Sequence, residues 1–255
     1  MEETVIKIIM HGCNGRMGQV ITRLAREDES VEIVAGIDIT EGNNEYPVYS
    51  DINDCKEAAD VIIDFASAKA VDKLLDYVET THIPVVVCTT GLSDEQKARL
   101  EEVSKEASVL VSANMSLGIN VLFKVLNSIS GLLSDAGFDI EIVEKHHNQK
   151  LDAPSGTALA LADVINKSMN EKFDYIYDRS NVRQKRGENE IGISAIRGGT
   201  IVGDHEVIYA GEDEEIVIKH TAHSRNVFAK GALEAGKFLA GTDKGMYSMQ
   251  DVVGK

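Results

Sequence analysis

Apolar runs alternate along the first half of the chain with segments whose apolar residues recur every three or four positions. The run from Val5 to Met10 predicts a buried strand. After a glycine-rich turn, one helix face is predicted from Met17, Val20, Ile21, Leu24 and Ala25. The alternation repeats, with strands at 31–37, 61–65, 84–88 and 109–111. Helices are predicted after strands 61–65 and 84–88, and the second of them begins with a Ser93–Gln96 capping box. This order predicts right-handed βαβ units on a parallel sheet.

The pattern changes after Asn114. A long apolar helix is predicted from about Gly118 to Ser134, and residues 138–143 then alternate with period two, as in a sheet with one wet face. A further helix at 155–169 and an exposed, charged loop from Tyr175 to Glu190 are expected next. Three alternating strands and a last helix follow, at 191–196, 205–210, 215–221 and 226–240. The last helix is long enough to return to the first domain.

Composition narrows the class of protein. With 255 residues and 43% hydrophobic residues, the chain can form two modest domains or one large α/β domain. A formal charge of −16 argues against nucleic acid and anionic membranes as partners, because the summed field repels polyanions. An anionic substrate would therefore need a local basic cluster.

The N-terminal segment, the apolar stretches and the cysteines together predict a cytoplasmic protein. Two acids precede the first apolar run, which is too short for a signal peptide, and no stretch approaches the roughly 18 apolar residues of a membrane span. Cys13, Cys55 and Cys88 lie far apart and form no C-x-x-C pair. Their spacing gives neither a disulfide framework nor a zinc site, which fits a reducing compartment.

The turn after the first strand has the parts of a dinucleotide site. Gly12, Gly15 and Gly18 would let the backbone approach a pyrophosphate at a helix N-terminus, and Asp38 lies 20 residues beyond Gly18, where a ribose-binding acid belongs. The spacing is G-x-x-G-x-x-G rather than G-x-G-x-x-G, so a plain glycine-rich turn is the alternative. Context and the position of Asp38 favour the dinucleotide, with Cys13 as a small filler.

An acid at position 38 would accept hydrogen bonds from the adenosine hydroxyls, whereas a 2′-phosphate needs a basic neighbour. Ile39 and Thr40 follow Asp38, so no basic residue stands immediately there. NADH is therefore expected to bind well. Arg16, within the turn, could reach the adenosine side, which leaves NADPH open as a cofactor.

The densest chemistry lies between Glu144 and Ala158. His146, His147 and Lys150 can donate protons and attract an anion, and the backbone N–H groups of Gly156 and Thr157, at a predicted helix start, suit a carboxylate. Adjacent histidines on extended backbone point to opposite faces and no neighbour completes a zinc set, so no metal site is expected. A solvated or hydrogen-bonded histidine pair is the remaining alternative.

These motifs resemble the dihydrodipicolinate reductase family. The segment E-K-H-H-N-Q-K-L-D-A-P-S-G-T-A looks like its signature and G-C-N-G-R-M-G like its cofactor turn. Further matches lie at 88–91, 112–120, 197–205 and 224–225, so the resemblance extends from about residue 5 to 253.

The resemblance implies an α/β fold: a Rossmann-type doubly wound parallel sheet plus a central α+β domain with a mixed sheet, for substrate binding and oligomerisation. It places the dinucleotide-binding domain at 1–116, completed by 226–255, and the second domain at 117–225. It also implies a homotetramer, and reduction of a cyclic dicarboxylate with NADH or NADPH in lysine and diaminopimelate biosynthesis.

Site residues carried over by position fall into three groups. His146 is the expected catalytic proton donor or acceptor and Lys150 the second proton donor, while His147, Gly156 and Thr157 would bind substrate. The cofactor would be lined by Gly12, Cys13, Asn14, Gly15, Arg16, Met17, Asp38, Cys88, Thr89, Thr90, Ser112, Ala113, Asn114 and Met115. Further cations that could meet the substrate carboxylates are Lys145, Arg197, Lys219, His220, His223 and Arg225.

Three residues depart from the family pattern. Cys88 stands where glycine is common, Met115 where an aromatic often meets the nicotinamide, and Ile39 where an arginine can bind the 2′-phosphate. None removes a reacting group, but Ile39 weakens any strict preference for NADPH.

Two other functions fit part of the pattern. One is a reductase of the same architecture acting on a different small acid, against which the stretch from Lys150 to Thr157 argues. The other is a non-catalytic Rossmann module that senses nicotinamide, although such a module would need no proton donors facing an anion site.

Overall fold

In the computed structural model, which describes residues 5–254, the chain divides into a first unit at 1–117 and 225–255 and a second at 118–224. Elements are numbered in chain order. The strands of the first unit are β1 (Ile6–His11), β2 (Val31–Ile37), β3 (Val48–Tyr49), β4 (Val61–Asp64), β5 (Val85–Val87), β6 (Ser108–Val111) and β12 (Gly245–Tyr247). Its helices are α1 (Arg16–Ala25), α2 (Ala68–Thr81), α3 (Asp94–Val103), α6 (Asn226–Leu239) and α7 (Met249–Val252), with a 3₁₀ turn at Ile52–Asp54.

These seven strands form one parallel sheet in the order β12-β6-β5-β4-β1-β2-β3. Alternate side chains point to opposite faces: Ile8 and Met10 pack with α1 and α6, whereas Ile9 packs with α2 and α3. Six of the strands have the doubly wound Rossmann order, to which β12 adds an edge. The strand order reverses beside β1, so the carboxyl end of β1 is where a ligand binds in such sheets.

The second unit is built on a mixed sheet of five strands in the order β11-β10-β7-β9-β8. β7 pairs antiparallel with β10 and parallel with β9. The strands are β7 (Asp139–His146), β8 (Asp174–Tyr177), β9 (Glu190–Arg197), β10 (Gly203–Ala210) and β11 (Glu215–Ala222), and the helices are α4 (Leu117–Asp135) and α5 (Gly156–Lys167).

One face of this mixed sheet carries the core of the second unit. Ile140 and Ile142 of β7 pack with Leu126 of α4 and with Leu161 and Ile165 of α5, and all five side chains are fully buried. The alternating burial along β7 leaves the intervening residues partly exposed, as a half-covered sheet requires.

The predicted fold class is confirmed, with a Rossmann-type parallel sheet and a second, mixed sheet. The capping box is also confirmed, since Ser93 and Gln96 bond each other's backbone at the start of α3. The expectation of a loop from Tyr175 onwards is wrong at its beginning, where β8 runs to Tyr177. Its aromatic and β-branched residues favour a strand, and the charged residues that follow concealed the signal.

Helix α4 corrects a second expectation. Among the described residues it is the one helix long and apolar enough to cross a membrane by length and composition, so the statement that no stretch approaches a span is wrong in those terms. One such helix is weak support for a membrane span, because core helices pass the same test. Ile119, Leu122 and Leu126 of α4 belong to the core of the second unit.

Candidate functional site

The glycine turn follows β1 directly. Gly12 has a φ of +82°, and a Cβ there would lie 2.8 Å from the backbone of Phe65. A Cβ at Gly18 would lie 2.3 Å from the carbonyl oxygen of Gly12. Gly15 is the N-cap of α1, which Arg16 and Met17 begin, and no side chain caps this helix end. The turn therefore presents bare backbone at a helix N-terminus, as a pyrophosphate site requires.

Asp38 lies next to this turn. Its carboxylate accepts hydrogen bonds from the backbone N–H of Asn14 at 2.9 Å and from the backbone and hydroxyl of Thr40 at 2.9 and 2.7 Å. Burial raises the pKa of Asp38, but these hydrogen bonds outweigh it and leave the pKa below its usual value. Asp38 is thus an ionised acceptor, and it lines a cleft of about 530 Å³ together with Gly12, Ile39, Ser67 and Lys69.

The other predicted cofactor residues follow the next strands of the same sheet. Cys88 and Thr89 are buried after β5, Thr90 is exposed, and Ser112 and Asn114 bond each other after β6, on either side of Ala113. Met115 is 2% exposed and lies in the core beside Gly231 of α6. Cys13 is also buried, which, with the nearby Asp38 carboxylate, raises the pKa of its thiol to about 11. Both side chains therefore act as packing groups in this structure.

Two buried atoms near these strand ends have no hydrogen-bond partner among the described residues: the hydroxyl of Thr89 and Oδ2 of Asp64. A buried polar group without a partner costs free energy, so each is suited to a bound polar ligand. The glycine turn, the ionised Asp38 and the unpartnered Thr89 hydroxyl are together chemically suited to a dinucleotide.

In the second unit, β7 carries Glu144 and His146 on the same face, because residues two apart on a strand point the same way. Glu144 is fully buried and His146 is 8% exposed. His147 follows the strand and is partly exposed. The structure thus separates the two histidines, with His146 alone set into the unit.

Glu144 is surrounded by donors. Its Oε2 lies 2.6 Å from Nδ1 of His146, and both oxygens accept from the guanidinium of Arg197 at 2.7 Å. Oε1 also accepts from the backbone N–H of Ser155 at 2.9 Å. Burial raises the pKa of Glu144, but the hydrogen bonds of Arg197 and His146 outweigh it and hold the pKa below its usual value. The carboxylate is therefore ionised, and Arg197, expected as a substrate-facing cation, balances it.

His146 and His205 lie edge to face with ring centroids 5.1 Å apart. Burial and, after it, the neighbouring His146 together lower the pKa of His205 to about 4, so His205 is neutral near pH 7. Burial also lowers the pKa of His146, although Glu144 opposes this effect. His205 Nε2 bonds the hydroxyl of Ser155 at 3.0 Å.

Helix α5 begins beside this cluster. Ser155 caps it by accepting from the N–H of Ala158 at 3.1 Å. Nζ of Lys150 lies 2.9 Å from Oδ1 of Asp152. This bond has the largest effect on the pKa of Asp152, which it lowers, and a hydrogen bond from the N–H of Gly156 lowers the pKa further. The N–H of Gly156, which was expected to suit a carboxylate, thus already meets a carboxylate of the chain. Thr157 also has an interaction partner. The structure does bring Lys150 and both residues to one end of α5.

Between residues 5 and 254, no group of three or more His, Cys, Asp or Glu side chains is arranged to hold a metal ion. Lys145 and Lys219, also expected as possible substrate-facing cations, lie 3.7 and 3.2 Å from Oδ2 of Asp204. Their charge is therefore directed to a carboxylate of the chain itself.

Comparison with known families covers nearly all of the chain. Residues 6–115 match the family described as "Dihydrodipicolinate reductase, N-terminus", and residues 118–253 match "Dihydrodipicolinate reductase, C-terminus". The chain belongs to the dihydrodipicolinate reductase family. The resemblance inferred from the motifs is thereby confirmed.

Individual proteins of known family are similar to this chain over nearly its full length. The 4-hydroxy-tetrahydrodipicolinate reductase of Caldanaerobacter subterraneus subsp. tengcongensis is 53% identical over 98% of this chain and 99% of its own. That of Clostridium novyi is 49% identical over 97% and 98%. The solved structure of dipicolinate-bound dihydrodipicolinate reductase from Paenisporosarcina sp. TG-14 has a TM-score of 0.81 at 22% identity, covering 97% of this chain and 99% of its own. That likeness shows the fold.

Two polar pairs arise from strand pairing and could not be inferred from the motifs. Nδ1 of His11 lies 2.7 Å from Oδ1 of the fully buried Asp64, because β1 and β4 are neighbours and the two residues are aligned at their ends. The pairing of β9 with β7 sets Arg197 opposite His146, two residues from Glu144, where its guanidinium reaches the carboxylate. The spacing of Glu144 and His146 was visible in the sequence, whereas strand pairing was not.

Proposed function

We propose that this chain reduces 4-hydroxy-tetrahydrodipicolinate, by way of dihydrodipicolinate, to tetrahydrodipicolinate in lysine and diaminopimelate biosynthesis. Its relatives named 4-hydroxy-tetrahydrodipicolinate reductase match it over nearly the full length of both chains. The structural observation that carries the proposal is the buried His146, held at Nδ1 by Glu144, beside Lys150 and the start of α5.

The first unit would hold NADH or NADPH. Its glycine turn, Asp38, residues 88–90 and residues 112–115 supply backbone N–H groups, an ionised acceptor and an unpartnered hydroxyl for the dinucleotide. A reduced nicotinamide, when bound, supplies the hydride. Asp38 favours the free ribose hydroxyls of NADH, and Arg16 is the cation we assign to a 2′-phosphate.

The second unit would hold the dicarboxylate. Lys150, His147 and the N–H groups of Gly156 and Thr157 bind its carboxylates, since a helix N-terminus and an ammonium both favour negative charge. His146 supplies a proton, and Lys150 acts as the second donor and offsets the negative charge that develops on the ring. The low exposure of His146 limits competition from water.

We further propose that the enzyme works in the cytoplasm as a homotetramer assembled through its second unit. The edge strand β11 supports this assembly, because Ile216 and Val217 expose apolar side chains on a strand with one free edge.

The test mixes the protein with NADH or NADPH and enzymatically generated hydroxy-tetrahydrodipicolinate. Oxidation of the cofactor is measured as the loss of its absorbance. Wild type should turn over, and His146→Ala and Lys150→Ala should each lose about a hundredfold or more in kcat. Lys167→Ala, which changes a lysine at the far end of α5, is the matched control and should keep the wild-type rate.

A non-catalytic nicotinamide sensor is the second candidate, supported by the complete dinucleotide turn. Folded wild-type protein that binds NADH, measured by nucleotide fluorescence, but never oxidises it on this substrate would contradict the reductase and favour the sensor.

A further inference from the structure

The carboxylate of Glu144 has every acceptor position in use. Its two oxygens accept two bonds from Arg197, one from the backbone N–H of Ser155 and one from Nδ1 of His146, all between 2.6 and 2.9 Å. An ionised carboxylate offers about four lone-pair sites and no proton. The side chain is fully buried, so water does not compete for these positions.

This saturation decides which nitrogen of His146 carries a fixed proton. Because the ionised carboxylate can only accept, Nδ1 must be the donor in the 2.6 Å bond. Proton exchange with a ligand is then confined to Nε2. A Cβ at position 203 would lie 3.3 Å from Nε2, so glycine at that position keeps the approach to the nitrogen open.

The charged and titratable groups around His146 come from several elements. Glu144 lies on β7, Lys150 follows β7, Arg197 ends β9 and His205 lies on β10. Arg197 is held in turn by the carbonyl oxygens of Ile196 and Asp152. Among these groups Glu144 alone is an acid, and Arg197 binds both of its oxygens.

Glu144 also touches the other half of the site. Oε1 accepts from the N–H of Ser155, the residue that caps α5 immediately before Gly156. One buried carboxylate therefore fixes both the proton-donating imidazole and the helix end that meets the ligand.

We propose that Glu144, bound by Arg197, is the positioning residue of the site. It holds His146 in the tautomer that exchanges protons at Nε2, and it fixes the position of that nitrogen relative to the start of α5. The proposal rests on the proposed catalytic role of His146. A buried ion pair with a purely structural role would lower stability on removal but would leave the tautomer and the pH dependence of turnover unchanged.

The test combines nitrogen-15 NMR of the imidazoles with the pH profile of kcat for Glu144→Gln. The matched control is Glu141→Gln, on the same strand and also paired with arginines, Arg179 and Arg186, but without contact to His146. Chemical denaturation of each variant reports the folded fraction.

In wild type and Glu141→Gln, the His146 signals should show a protonated Nδ1. Glu144→Gln should show a mixture of tautomers and a lower pKa of His146, because the anion that favours the imidazolium is gone. Its kcat should fall by about tenfold or more, because part of the population holds the wrong tautomer. Activity that needs protonated His146 is lost as pH rises through its pKa, so the alkaline limb of kcat should move to lower pH.

Arg197→Lys provides a second route if Glu144→Gln folds poorly. It keeps the positive charge but loses the paired donors, so tautomer mixing should appear to a smaller degree, with a smaller loss of kcat. An unchanged tautomer and an unchanged alkaline limb in the folded variants would overturn the proposal. Tautomer control by Glu144 in a protein without reductase turnover would contradict the proposed function instead.

Discussion

Lys150 already holds a carboxylate of its own chain, with its Nζ 2.9 Å from Oδ1 of Asp152. The N–H of Gly156 also stabilises the ionised form of Asp152. These are two of the groups that we assign to a substrate carboxylate. On that assignment Asp152 occupies the position of a ligand anion, and we expect binding of the substrate to displace it.

Asp152→Asn should consequently tighten dicarboxylate binding. The Asp152 side chain is 58% exposed, so the pair is worth little, and the dissociation constant should fall by about two- to fivefold. Calorimetry with pyridine-2,6-dicarboxylate measures it. Asp163→Asn, on α5 and bonded to Tyr175, is the control and should not change the constant. Weaker binding in Asp152→Asn would mean that Asp152 assists the ligand rather than replacing it.

The elements with strong periodicity could be predicted from the sequence. The face of α1 and the long apolar α4 follow from spacing that tertiary contacts do not alter. The short strands β3 and β12 could not, because two or three residues carry no periodic signal and these strands exist only through pairing with β2 and β6.

The site divides in the same way. His146 and Lys150 could be found because their chemistry is written in one continuous segment. Arg197 could be named as a cation but not given its partner, since the bond to Glu144 depends on the register of β7 with β9. The contact of Lys150 with Asp152 depends on a loop conformation that no pattern in the sequence specifies.

Gly12→Ala should disable the dinucleotide turn. A non-glycine residue at positive φ costs roughly 1–2 kcal/mol, and a Cβ 2.8 Å from the Phe65 backbone adds about 1–3 kcal/mol of overlap. Gly137→Ala is the control, because its φ is +88° but nothing lies within 4 Å of a Cβ there. Urea unfolding should show a larger loss for Gly12→Ala, and it alone should lose NADH binding by fluorescence. Equal losses would show that the close approach to Phe65 is not limiting.

The ion pair between Asp28 and Lys237 should stabilise the first unit in a pH-dependent way. The hydrogen bond from Lys237, followed by those from Ser30, lowers the pKa of Asp28 from 3.8 to about 2. A lowered acid pKa stabilises the fold above the unfolded value, and this stability is lost as pH falls from 3.8 towards 2. Since both side chains are partly exposed, Asp28→Asn should lower the free energy of unfolding by about 1 kcal/mol at pH 7 and by less at pH 3.

Glu234→Gln is the control for this pair, because Glu234 bonds the same Lys237 at 3.1 Å from one turn away on α6. Glu234→Gln should lower the free energy of unfolding by about 0.3 kcal/mol. Urea unfolding at both pH values measures the two variants. A loss of stability for Asp28→Asn that stays constant between pH 7 and pH 3 would assign it to the hydrogen bonds with Ser30 rather than to charge.

Asp38→Asn should change the balance between the two nicotinamide cofactors. The ionised carboxylate accepts from ribose hydroxyls but repels a 2′-phosphate, so its loss should weaken NADH binding by about tenfold and weaken NADPH binding less, or strengthen it. Fluorescence titration gives both dissociation constants. Asp54→Asn, an exposed acid in the 3₁₀ turn of the same unit, should change neither. Equal weakening for both cofactors would mean that Asp38 acts by holding Asn14 and Thr40 in place rather than by meeting the ribose, since its hydrogen bonds to both residues would then be its main contribution.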